Sequence, residues 1–120
     1  MKTVLFFVVT MVSLNLDNNK LVGRWESMSV TGNVTGVVFK EDNTFEGYVN
    51  KKPFVSGTYT FHDGIFTMQD NGCMDAVGTY KITFFSNDDS MRIELLSDDC
   101  TPRGNGTNNR VFGRVKKIVL

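Results

Sequence analysis

The groups in this chain that could do chemistry are few and scattered. His62 is the single imidazole, and a general base at that position would need a nucleophile and a water-excluding cleft nearby. It directly precedes Asp63-Gly64, a turn dipeptide that leaves it solvated. There are two cysteines, Cys73 and Cys100, with no Cys-x-x-Cys spacing, too few with one histidine for a structural zinc set. The acidic pairs Asp88-Asp89 and Asp98-Asp99, together with Asp70 and Asp75, match no EF-hand loop and read as solvated turn chemistry. No acid, base, nucleophile or metal set assembles, so the sequence predicts no catalytic residue, no metal and no cofactor.

What remains is suited to binding. The tripeptide Gly57-Thr58-Tyr59 returns as Gly78-Thr79-Tyr80, each time opening a run that alternates apolar and polar residues. Two aromatic walls on neighbouring strands, Tyr59 with Phe61 and Tyr80 with Phe84, would form a shallow apolar site whose hydroxyls, with Arg92 or Arg103, orient a ligand. The alternative is that both tyrosines are ordinary strand residues and that Gly57 and Gly78 ease curvature.

The elements that would hold these residues are all extended. Period-two alternation marks eight strands: Leu21–Val30, Val34–Lys40, Phe45–Asn50, Phe54–His62, Ile65–Gln69, Val77–Phe85, Met91–Ser97 and Arg110–Ile118. Turns fall at Glu41–Thr44, Lys51-Lys52-Pro53, Asp63-Gly64 and Ser86–Ser90. Two longer connections, Asp70–Ala76 and Asp98–Asn109, each carry a cysteine. Eight short antiparallel strands either leave two edges open or close, and closure removes the edge hazard. The expected fold is therefore all-β, an eight-stranded antiparallel up-and-down meander barrel. In such a meander the connections after strands one, three, five and seven share one rim, which places Cys73 and Cys100 together and allows a disulfide. That rim, with its longer loops, is the expected mouth. The inward-facing positions are heavy in large aromatics, so the interior is expected to be mostly filled, with any pocket in the half near the mouth.

Lys2 followed by the apolar stretch Val4–Leu14 reads as an export signal, too short for a membrane span, with residues 1–16 removed and 17–120 forming one domain. No cysteine follows that stretch to accept a lipid, so no membrane anchor is expected. Thirteen basic residues balance thirteen acidic ones with no basic run, which argues against nucleic acid. An exported chain with one cysteine pair joins it, closing a loop of about 28 residues. The sequons at Asn33-Val34-Thr35 and Asn105-Gly106-Thr107 matter only in a eukaryotic secretory route.

The stretch Leu21-Val22-Gly23-Arg24-Trp25 resembles the Gly-x-Trp opening of the lipocalin and calycin superfamily, and the rest of the chain resembles small bacterial lipocalin-like domains. The resemblance implies that Trp25 lies near the closed end with an arginine of the last strand packed across it, Arg114 or, as the second candidate, Arg110. Together with the export signal and the lack of a catalytic set, it leads to the expectation of a secreted or periplasmic, non-enzymatic protein that binds a small hydrophobic molecule through the open end. The competing expectation is a solid barrel that binds a protein partner through its rim loops, as an inhibitor would.

Overall fold

The computed structural model describes residues 20–116. The export signal at residues 1–16 lies outside them, as do the last residues of the eighth expected strand. Eight strands follow one another: β1 Gly23–Met28, β2 Val34–Phe39, β3 Thr44–Val49, β4 Lys52–His62, β5 Ile65–Asp70, β6 Gly78–Phe85, β7 Ser90–Asp98 and β8 Arg110–Arg114. Each pairs antiparallel with the next, and β1 pairs with β8 through Trp25↔Arg114 and Glu26↔Gly113, which closes the barrel. Among the described residues every strand has a neighbour on both sides, which limits the edge open to another chain, although the β1–β8 seam holds only two residue pairs.

Local chemistry explains the turns. Asp63 and Gly64 have φ of 50° and 78°, the double positive φ that joins β4 to β5 in a two-residue type I′ hairpin. The β3–β4 turn is Asn50-Lys51, with φ of 51° and 70°, and not the Lys51-Lys52-Pro53 expected from sequence. Lys52 and Pro53 already belong to β4, and Pro53 is tolerated because the register shifts beside it. Gly47 faces Val55 while Tyr48 faces Pro53, so Phe54 is the extra residue of a bulge. A second bulge, where Tyr80 faces Leu95 and Thr79 faces Ser97, extrudes Leu96 in the same way. Both bulges lie toward the mouth and leave their apolar residue exposed, Phe54 at 72% and Leu96 at 55%.

The closed end is packed solid. Trp25 is fully buried, and its indole N–H donates to the Leu21 carbonyl at 2.9 Å. The Arg114 guanidinium lies 4.2 Å from the ring and donates to the carbonyls of Lys20, Val22 and Asp88. The expectation for Trp25 and Arg114 holds, while Arg110, the second candidate, sits at the opposite end of β8. Phe84 packs on Trp25 with centroids 6.1 Å apart, and Phe61 packs edge-on against Phe84. Above them Phe39, Tyr59 and Phe66 form an aromatic layer, with centroids of Phe39 lying 5.1 Å from Tyr59 and 5.5 Å from Phe66. Leu21 and Phe112 complete the core, two buried residues that the strand alternation did not single out.

On the outer wall Tyr48 lies across Gly36, where a Cβ would collide with the phenol ring. Its hydroxyl accepts from Arg24 Nε at 2.6 Å and donates to Glu26 at 2.7 Å. An aromatic ring thus covers a strand glycine and ties β1, β2 and β3 together.

The connection Asp98–Asn109, expected to be irregular, contains a short helix, α1, Thr101–Thr107. Its sequence, with two glycines and two β-branched threonines, is a poor helix former. Tertiary ties replace propensity. Pro102 sits in the first turn, Gly104 is buried against Leu95 and the Asp98 Cβ, and Cys100 is bonded to Cys73.

Candidate functional site

The disulfide joins the two mouth connections as their shared rim requires, with the Cys73 and Cys100 Cα atoms 6.0 Å apart. Asp70, the last residue of β5, accepts from the amides of Gly72 and Cys73 and so caps the 3-10 turn Asn71–Cys73. On the other side of the bond, Asp98 ends β7 and accepts from the Cys100 amide at 2.8 Å. Between the two carboxylates stands Arg103 of α1. It donates through Nε and Nη2 to the two oxygens of Asp98 at 2.8 and 2.7 Å, and through Nη2 to the Ala76 carbonyl at 2.7 Å. Its Nη1 lies 3.4 Å from Asp70 without a hydrogen-bond partner. The Tyr80 hydroxyl donates to Asp98 from below. The Asp98 side chain is 1% exposed and that of Arg103 9%, so the bidentate pair acts with little screening.

These bonds set the charge states. Burial opposes ionisation of Asp98, but the hydrogen bonds from Arg103, Tyr80 and the Cys100 amide outweigh it and hold the carboxyl below the ordinary carboxylate range. Burial first, and Asp98 second, push the Tyr80 phenol up. A carboxyl depressed in the folded state stabilises the fold in full above its unfolded value, about 3.9, and loses that contribution as pH falls through the folded value. Asp98→Asn should therefore melt below the wild type at neutral pH, and the gap should narrow below about pH 4. A gap that stays constant down to pH 2 in thermal melts would show that Asp98 does not hold the mouth through its charge.

Beneath this polar collar the barrel is hollow. A cavity of about 460 Å³ opens at the mouth. Its floor includes Phe39 and Phe66, and its walls include Val37, Val49, Val55 and Ile93. The aromatic bulk of the closed half gives way to valines in β2, β3 and β4, and the missing ring volume is the space. Helix α1 covers one side of the opening and contributes Pro102, Arg103, Gly106 and Thr107 to the lining, and both cysteines border it. A larger depression of about 640 Å³ lies on the outer wall around Tyr48, Lys51 and Phe54. It is more open to solvent, and two of its polar groups, Arg24 and Tyr48, are already bonded to each other. The interior cavity is the better candidate.

The structure separates the residues expected to bind. Arg103 lines the cavity. Tyr59 and Tyr80 are buried beneath it, with hydroxyls taken up by the Lys40 carbonyl at 2.8 Å and by Asp98. Phe61 and Phe84 belong to the packed closed half with Trp25. Arg92 is exposed on the outer face, because its neighbours Met91 and Ile93 point in and alternation sends it out. The tyrosine repeat thus marks matching positions in the sheet and not a ligand wall. Sequence reasoning considered Arg110 only as a second candidate to cover Trp25, whereas this basic residue at the start of the last strand lines the cavity.

No family model matches this chain, and no curated protein matches it. Among solved structures, the NMR structure of a protein from Bacteroides uniformis ATCC 8492 is similar, with a TM-score of 0.56 and 22% identity, covering 83% of this chain and 93% of that one. The likeness extends to the fold. The chain is a closed eight-stranded antiparallel β-barrel with a disulfide at its mouth and an apolar cavity beneath.

Proposed function

We propose that this is an exported, lipocalin-like, non-enzymatic binding protein that takes a small hydrophobic molecule into the barrel through the disulfide-bordered mouth. The observation that carries the reading is the apolar cavity itself. At about 460 Å³ it falls within the usual range for small-molecule sites, and its wall is apolar with a few polar groups at one end. The filled closed half and the fixed collar of Asp98, Arg103 and Asp70 give a preformed site, which lowers the ordering cost of binding. The disulfide favours an oxidising compartment. Among the described residues no helix is long and apolar enough to cross a membrane.

A second reading, docking of a protein on the rim loops, draws support from the mouth connections. Val30 and Met74 stand out on two of them with exposures of 105% and 94%. Exposed apolar groups concentrated at one end of a monomer mark contact surfaces.

Native mass spectrometry of the protein purified from its own host separates the two. The carrier reading expects a retained small molecule that dissociates on activation. A spectrum of bare chain, together with capture of a protein that Met74→Ser abolishes, would overturn it in favour of the rim.

A further inference from the structure

We propose that Arg110 anchors an anionic headgroup, so that the molecule held in the cavity is an acidic amphiphile, an apolar body ending in a carboxylate or a comparable anion. This rests on the reading of the cavity as a ligand site and adds the chemistry of its guest.

Arg110 opens β8 and pairs directly with Ile93 of β7, so the two side chains share one face of the sheet. Ile93 is buried in the core at 4% exposure, and Phe112, two residues beyond Arg110 on the same face, is buried at 6%. Arg110 therefore stands on the inner face, at the mouth end of a series that is otherwise apolar. It is half-buried and lines the cavity. An arginine on the inner wall needs a reason, since the outer face of the same strand was available to it.

The charged groups lining the cavity are Asp70, Arg103 and Arg110. Asp70 is held by the Gly72 and Cys73 amides and faces Arg103, and Arg103 is committed to Asp98. Arg110 makes one bond, from Nε to the Gly106 carbonyl at 3.1 Å, which fixes the plane of the guanidinium against α1. Among the described residues it has no carboxylate partner. Its two terminal nitrogens make no hydrogen bond among the described residues, and a guanidinium with both free can receive a carboxylate in two parallel bonds. Against apolar walls such a charge-assisted pair meets less competition from water than at an open surface. The apolar body would fill the space between Val37, Val55 and Phe66 while the anion stays at the collar.

The test is calorimetric titration of the whole protein with octanoate and with 1-octanol at pH 8, two probes of equal chain length that differ in headgroup charge. Octanoate should bind at least about tenfold tighter than 1-octanol. Arg110→Gln should weaken octanoate by about tenfold to a hundredfold, the range for a hydrogen bond to a charged group, and change 1-octanol less than twofold. Arg110→Lys should keep part of the preference, and Arg92→Gln, on the outer face, should keep all of it. Raising salt from 0.05 to 0.5 M should weaken octanoate and leave 1-octanol unweakened in the wild type, a readout that needs no variant. Equal affinities for the two probes, or an Arg110→Gln protein that binds octanoate as well as before, would overturn the anchor and leave the cavity reading standing. Failure of both probes to bind the wild type would overturn both.

Discussion

Trp25→Ala is expected to destabilise the protein by about 3 to 5 kcal/mol, the largest effect of any single substitution considered for this fold. The indole is fully buried, fills the closed end together with Phe84, and binds the Leu21 carbonyl. Removing it opens a void that the surrounding barrel cannot collapse around, because the strands are fixed by pairing on both sides. It also strips Arg114 of the ring it covers, an interaction of roughly 0.5 to 2 kcal/mol depending on desolvation. At about 4 to 8 °C per kcal/mol for a domain of this size, the melting temperature should fall by roughly 12 °C or more. Thermal melts read by circular dichroism check this. A shift of only a few degrees would mean that the closed end is not held by the tryptophan.

The second large effect is at the other end. Cys73→Ser should remove about 3.5 kcal/mol by the chain-entropy estimate, since the bond joins residues 27 apart in sequence. The expected drop in melting temperature is about 15 °C or more, and reduction of the wild type should reproduce it. The loss should be local in its first consequence. Cys100 starts the segment that becomes α1, a helix with little propensity of its own, and Arg103 on that helix completes the collar. Hydrogen exchange in the variant should rise first in 101–107 and only later in β6 and β7. Equal melting of oxidised and reduced protein would show that the collar of Asp98 and Arg103 holds the mouth without the bond.

Much of this architecture can be read from the amino-acid order because each hairpin states its own register. Asp63-Gly64 demands a two-residue turn, and the alternation on either side of it can face the core in one register only. Counting strands then places the two cysteines on one rim, as found. The Trp25 and Arg114 pair was legible through the resemblance carried by the Gly-x-Trp opening, and closure agrees with it because β1 and β8 meet. Helix α1 was not legible, because its support comes from residues far away in sequence: Cys73, Ala76 and the end of β7. One local signal, Pro102 just inside its start, was available. The bulges at Phe54 and Leu96 were hidden because they lie near the mouth ends of β4 and β7, where too few residues remain beyond them to show the inverted alternation. The binding residues were the least legible part. Repetition drew attention to Tyr59 and Tyr80, yet their hydroxyls are consumed by the fold. The emptiness near the mouth comes from the smaller side chains Val37, Val49 and Val55, residues that carry no chemical signal of their own.

The central claim is that the mouth half of the barrel is hollow and takes an apolar guest, while the closed half is packed. Nuclear magnetic resonance of the methyl groups, followed during titration with 1-octanol, tests it most directly. Shifts and contacts to the probe should appear at Val37, Val49, Val55, Met68 and Ile93, which border the cavity, and should be absent at Leu21 and Met91, which are fully buried at the closed end. A spectrum that does not change as probe is added, or one in which the changes fall on Met74 and Val30 at the rim alone, would contradict the account.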